Sequence, residues 1–132
     1  MVDPTCSIHT LTSDVIVLAD SAVLLVKFRA DEQAAGWHLP GGLLRHGEHP
    51  EDAARRILRE QLGLTPEYVD LAEIESTPGE NWHLYFHFRA DLDGRPDPGP
   101  QVGDARLFQL EHLPAMAHGS WERDVIYRII AR

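Results

Sequence analysis

The sequence predicts an α/β fold, an α/β/α sandwich on a mixed β-sheet, forming one domain over residues 1–132. Three observations carry this expectation. Two apolar runs stand close together near the start, a sharply punctuated amphipathic segment follows, and further strand-like stretches then lead to a closing helical pattern. Strands, an inner helix, more strands and a last helix are the order of a sheet covered on both faces.

Residues 14–19 and 22–28 are apolar runs separated by the turn-prone pair Asp20-Ser21, and they read as a β-hairpin or as two consecutive strands. Residues 36–42, GWHLPGG, cannot be helical, because Pro40 pushes the residue before it to extended geometry; they read as a short strand feeding a loop. A helix starts at His49-Pro50-Glu51-Asp52, with Pro at the first helical position and two acids complementing the dipole, and Gly63 ends it. Ala54, Leu58 and Leu62 share one of its faces; Ala53, Ile57, Glu60 and Gln61 fall on another. Residues 68–76 read as a strand and 77–81 as a loop. In the strand that follows, 82–90, Trp82, Leu84, Phe86 and Phe88 alternate with His83, Tyr85, His87 and Arg89. Residues 91–102, rich in proline and glycine, read as a solvent loop, 106–109 as a short last strand, and 120–130 as a helix with Trp121, Val125 and Ile129 as its buried stripe.

At 132 residues, 43% hydrophobic and 25% charged, the composition is globular, and a domain of this size buries upwards of roughly 60% of its unfolded surface. The longest apolar stretches fall far short of the roughly 18–20 residues that span a bilayer, so a soluble chain without a membrane span is expected. A single cysteine, Cys6, excludes an internal disulfide framework and a cysteine-rich zinc site and fits a reducing, cytoplasmic setting. The opening MVDPTCSIHT lacks the basic flank and apolar core of a signal peptide. A net charge of -9 argues against nucleic-acid binding, which needs a basic footprint. An acidic chain still takes polyanionic small molecules when a divalent cation bridges the two.

The densest pattern lies in residues 42–64, GLLRHGEHPEDAARRILREQLGL. Gly42, Glu48, Arg56, Leu58, Glu60, Gly63 and Leu64 stand at the spacing G-x5-E-x7-R-E-U-x-E-E-x-G-U, with U a bulky aliphatic. Ile57 and Gln61 replace the first and last Glu of its helical part. The stretch resembles the Nudix box, which sharpens the fold expectation to a Nudix-type sandwich. The resemblance implies a strand-loop-helix module that binds Mg2+ or Mn2+ and hydrolyses a nucleoside diphosphate linked to another group X, a small-molecule nucleotide or nucleotide sugar. It further implies that Gly41 or Gly42 lends a carbonyl oxygen and that Glu60 is the surviving carboxylate ligand, with Gln61 beside it. Arg56, one helical turn earlier, would hold Glu60, and Glu48 would act through a water or from behind the ligands. The other reading of Arg56 and Glu48 is a solvated ion pair worth under about 1 kcal/mol. Asp104 resembles the acid that precedes the family's last short strand and adds a distal metal ligand; a plain loop residue is the alternative.

Gln61 keeps one oxygen but removes a unit charge beside a dication, on the order of several kcal/mol before desolvation. Ile57 can neither ligate nor move a proton, where a positioned base contributes about 10²–10⁴ in rate. Three functions fit this pattern. The first is a hydrolase whose base comes from the region of His112, His118 and Glu122, with His118 as the candidate; family members that hydrolyse GDP-mannose also lack the first Glu and use a histidine. The second is a nucleotide-binding sensor without catalysis. The third is a scaffold whose business is an interface, and a homodimer is a common solution for small enzymes. His83 and Tyr85 point away from the expected core face of Trp82 and Phe86 and are candidates, with Trp37, to stack on a base or ring; Trp121 is expected to pack the last helix. Pro78 stands near where ADP-ribose-cleaving members carry a proline, and an ordinary turn also accounts for it.

Overall fold

The two apolar runs form a hairpin: β1 (His9–Ala19) pairs antiparallel with β2 (Ala22–Phe28). Asp20 takes a φ of 53° at its tip, the left-handed conformation a tight hairpin turn needs and Asp tolerates better than most residues. The computed structural model describes residues 9–31, 36–78 and 81–131, so Cys6, the opening residues and the middle of the 77–81 loop lie outside it. β3 (Gly41–Leu43), β4 (Asp70–Thr77), β5 (Trp82–Asp91) and β6 (Val102–Gln109) complete a six-stranded sheet of order β4-β5-β1-β2-β6, with β3 paired to the start of β1. β1 and β5 run parallel while the other pairs are antiparallel, which makes the sheet mixed.

Val15 to Leu18 are all buried because helices cover both faces of the sheet. Val15, Val17, Leu24 and Val26 pack against Ala54, Leu58 and Leu62 of α1 (Pro50–Leu62). Ile16, Leu18, Val23 and Leu25 pack against Val125, Ile126 and Ile129 of α2 (Ser120–Ile130). This is the expected α/β/α sandwich. α1 is capped as its sequence predicts: the His49 ring accepts from the Glu51 N–H, and Gly63, at φ 63°, ends the helix in the left-handed region with its N–H on the Arg59 carbonyl. Its second face is not solvated. Ile57 and Gln61 are buried where β3 lies over them.

Several expectations are corrected by long-range pairing. β1 begins at His9 because its first residues run beside β5 and β3, partners that no local pattern announces. β6 begins at Val102, drawn out by β2 and bulged at Lys27/Phe28, so Asp104 belongs to a strand and not to the loop before one. The 92–101 loop is not merely solvated. The Asp97 and Gly99 N–H groups bond the Leu62 and Gln61 carbonyls at 2.7 and 2.8 Å and satisfy the open end of α1. A Cβ at Gly99 would collide with the Glu60 carbonyl, which explains the glycine. Trp82, expected in the core, is 43% exposed and donates its indole N–H to the Ser76 hydroxyl. Glu122 joins Val125 and Ile129 in the buried stripe of α2; Trp121 is half-buried, packed as expected against the core cluster of that helix and beside the Tyr85 ring.

Candidate active site

Gly41 and Gly42 divide the site into two sides. A Cβ on Gly41 would press on the Asp14 side chain at 2.9 Å, so only glycine lets β3 lie this close to β1. On the α1 side, Arg56 grips Glu48 with two bonds of 2.8 and 2.9 Å, reaches the Leu43 carbonyl at 3.1 Å and touches Glu60 at 3.4 Å. The Arg45 N–H also bonds Glu48, and these donors hold the Glu48 carboxyl down at about 2. Glu48 is thereby a clamp between the 44–49 loop and α1. Glu60 lies between the Arg56 guanidinium and that of Arg45, the latter at 3.3 Å.

Gln61 is 5% exposed and donates its amide N–H to the Gly41 carbonyl at 2.9 Å, leaving its own oxygen buried without a hydrogen bond. Reversing the amide would set two acceptors face to face, so the carbonyl selects this orientation. The donor set therefore does not fit a resident hard cation. Ile57 offers nothing, Glu60 is already neighboured by two cations, and the carbonyl a cation would use is taken by an N–H.

On the α2 side a cleft of about 330 Å³ opens, lined by Asp14, His38, Gly41, Gly42, His83, Tyr85, His118, Trp121 and Glu122 among others. The sequence candidates Gly41, Gly42, His83, Tyr85 and His118 thus share one cavity. His83 and Tyr85 stack with ring centroids 3.9 Å apart, and Trp121 stands 4.8 Å from Tyr85. Thr12 and the Tyr85 hydroxyl lie at 2.8 and 3.1 Å from the two His83 nitrogens. Burial lowers the His83 pKa, and burial followed by the charges of Asp14, Glu75 and Glu122 raises that of Tyr85. Asp104 is placed elsewhere, in β6, with its carboxylate 3.0 Å from Arg106.

Behind the cleft lies a group that the sequence did not single out. His87, fully buried, sits between Asp14 at 2.6 Å and Glu75 at 2.8 Å. Burial alone would lower its pKa, but the hydrogen bonds and charges of Asp14 and then Glu75 outweigh it, and the imidazole titrates above its ordinary value. Glu122 accepts the Leu39 N–H at 3.0 Å, and burial raises its carboxyl. His38, His118 and Glu122 bring one ligand atom each within 4.8 Å of one another, the one such group among the described residues. The alternation of β5 put His87 opposite Phe86 and Phe88 but could not supply its partners, which lie on β1 and β4.

A family description of the NUDIX domain matches residues 9–129. The chain belongs to the NUDIX family. It is similar to an ADP-ribose pyrophosphatase of Methanocaldococcus jannaschii, 30% identical over 108 residues that cover 79% of this chain and 64% of that relative. The chain thus spans less than two thirds of that protein's length. Among solved structures it resembles the NUDIX domain of Shewanella oneidensis NrtR in complex with ADP ribose, with TM-score 0.79, 20% identity, and 99% and 93% of the two chains covered. A MutT NUDIX hydrolase from Burkholderia pseudomallei gives TM-score 0.78 at 22% identity, covering 92% and 98%. These structural likenesses show the NUDIX fold. Among the described residues no helix is long and apolar enough to cross a membrane.

Proposed function

We propose that this NUDIX protein hydrolyses the pyrophosphate linkage of a nucleoside diphosphate joined to X, with ADP-ribose as the first substrate to test. The supporting observation is the cleft beside Gly41 and Gly42, whose stacked His83–Tyr85 pair, with Trp121 tilted at 50° to Tyr85, offers aromatic surface to a base. The M. jannaschii relative supports ADP-ribose by its name. In this reading His83 and Tyr85 hold the base, Arg56 keeps Glu60 in place, and Glu60 and Arg45 face the phosphates. His118, at the α2 end of the cleft, serves the activation of water. Mg2+ or Mn2+ would arrive on the substrate's own phosphate oxygens, since Gly41, Gln61 and Glu60 do not make a resident site for it. A cytoplasmic setting and a homodimer belong to the same proposal.

The blocked carbonyl favours a second reading, a sensor that binds the nucleotide without cleaving it, and the NrtR domain was solved with ADP ribose bound. One experiment separates the two. Purified protein is incubated with Mg2+ or Mn2+ and ADP-ribose, nucleotide sugars, dinucleotides or nucleoside triphosphates, and phosphate-containing products are measured. Turnover that Glu60→Gln lowers by 10-fold or more, on the order expected for a positioned charged group, supports the hydrolase. Absence of turnover with a nucleotide-induced rise in Tm establishes the sensor instead.

A further inference from the structure

We propose that His38, His118 and Glu122 form a binding site for a divalent first-row transition-metal ion of the zinc class, separate from the 42–64 stretch. The donor set is two imidazoles and one carboxylate, which suits zinc, iron or cobalt and not magnesium, a cation that asks for oxygen. Zinc sites of this His2Glu composition keep a further position open, and here all three residues line the cleft, the side from which that position would be filled.

Two further observations point to a ligand. Glu122 is 4% exposed, and its Oε1 makes no close hydrogen bond: the Leu39 and His118 N–H groups and the His118 charge act on the carboxylate, while the His38 Nδ1 stands at 3.8 Å from Oε1, too far to donate to it. Burial still outweighs these donors, and a cation at Oε1 would satisfy the carboxylate. The backbone also fixes all three residues before any ion binds. His38 exchanges two hydrogen bonds with Val26 at 2.8 and 2.9 Å, and Trp37 bridges to Ala115 and Ala117 at 3.0 and 2.9 Å, which brings the segment carrying His118 alongside. The second Glu122 oxygen is tied to the Leu39 N–H, so its partner oxygen is aimed and not free to wander. Bonds of about 2.0–2.2 Å set ligand atoms roughly 3.4 Å apart. From the present 4.8 Å, the exposed His118 closes the difference by turning about its own side-chain bonds.

The site refines the part given to His118 in the hydrolase reading: its imidazole holds the ion, and the water to be activated is one bound there. Metal binding itself stands on the ligand geometry and does not rest on that reading. Metal-free protein titrated with Co2+ and no nucleotide present is expected to bind one ion per chain, with a visible absorption band that Zn2+ removes and millimolar Mg2+ does not. His118→Ala and Glu122→Gln should each weaken binding by more than about 100-fold, beyond what loss of a supporting contact does, while Glu60→Gln leaves it unchanged. Both variants suit the fold, since His118 is exposed and the new amide oxygen still accepts from Leu39. X-ray absorption of the zinc-loaded wild type should show two imidazoles at about 2.0 Å, and this decides the matter even if a variant fails to fold. Less than one ion bound, binding that survives both variants, binding lost with Glu60→Gln, or a zinc environment without imidazole overturns the proposal. A protein that binds Co2+ in this way yet turns over no pyrophosphate substrate keeps the site and loses the hydrolase.

Discussion

Gln61 sets its amide N–H on the Gly41 carbonyl, where a carboxylate could come only with a proton or cation between the two oxygens. Gln61→Glu is therefore expected to destabilise the metal-free protein by about 1–3 kcal/mol. Saturating Mn2+ should then raise the Tm of the variant more than that of the wild type, by the linkage that gives ~2.7 kcal/mol at 100 times Kd. Equal shifts in a melting series with and without Mn2+ would refute the idea that the amide stands in for charge. Glu48 gives a second prediction. Its carboxyl lies at about 2 in the folded chain against an ordinary 4.5, so the clamp contributes fully above that ordinary value and is lost progressively as pH falls toward 2. Melting curves from pH 6 to 2 should fall more steeply for the wild type than for Glu48→Gln, which starts about 1.5–3 kcal/mol lower; parallel curves would remove the clamp.

At the scale of elements, His87 ties β5 to β1 through Asp14 and to β4 through Glu75. Its raised pKa means the stabilising tie is complete below the ordinary imidazole value of 6.5 and fades as pH rises through the higher folded value. His87→Leu strands two carboxylates in the interior and should cost about 3–5 kcal/mol. The loss of stability expected of the wild type in chemical denaturation as pH rises above 6.5 should be absent from the variant, and a shared slope would count against a charged imidazole. These elements also show what was legible. The α1 boundaries, the Arg56–Glu60 pair and the glycines of β3 are local facts, set by capping, helical spacing and proline geometry, and the sequence states them. The buried triad and the His38–His118–Glu122 group join residues brought together by a parallel ladder and by one backbone bridge. The Asp14–His87 pair is 73 residues apart and Leu39–Glu122 83, separations at which periodicity carries no information. Trp82 departs from the burial its alternation predicts because it opens β5, beyond the core cluster that α1 covers.

Considered whole, the molecule leaves one sheet edge apolar. β4 is one of the two outermost strands, and Leu71, Ile74 and neighbouring Trp82 are 51%, 53% and 43% exposed. Unpaired apolar edges invite a second chain, and the homodimer of the proposed function is expected to bury this one. Light scattering should return a dimer mass for the wild type and a monomer for Leu71→Lys with Ile74→Lys; a monomeric wild type at micromolar concentration disposes of the dimer.

β1 is the central strand, and its parallel partner β5 lies 73 residues further along the chain. At about 5–20 residues per second of synthesis, roughly 4–15 s pass during which β1 has emerged with only β2 and β3 to pair with. Through that interval Val15 to Leu18 stand beside an open edge that only the late-made β5 can close. The parallel pairing that builds the cleft therefore also makes closure of the sheet wait on a strand synthesised 73 residues later.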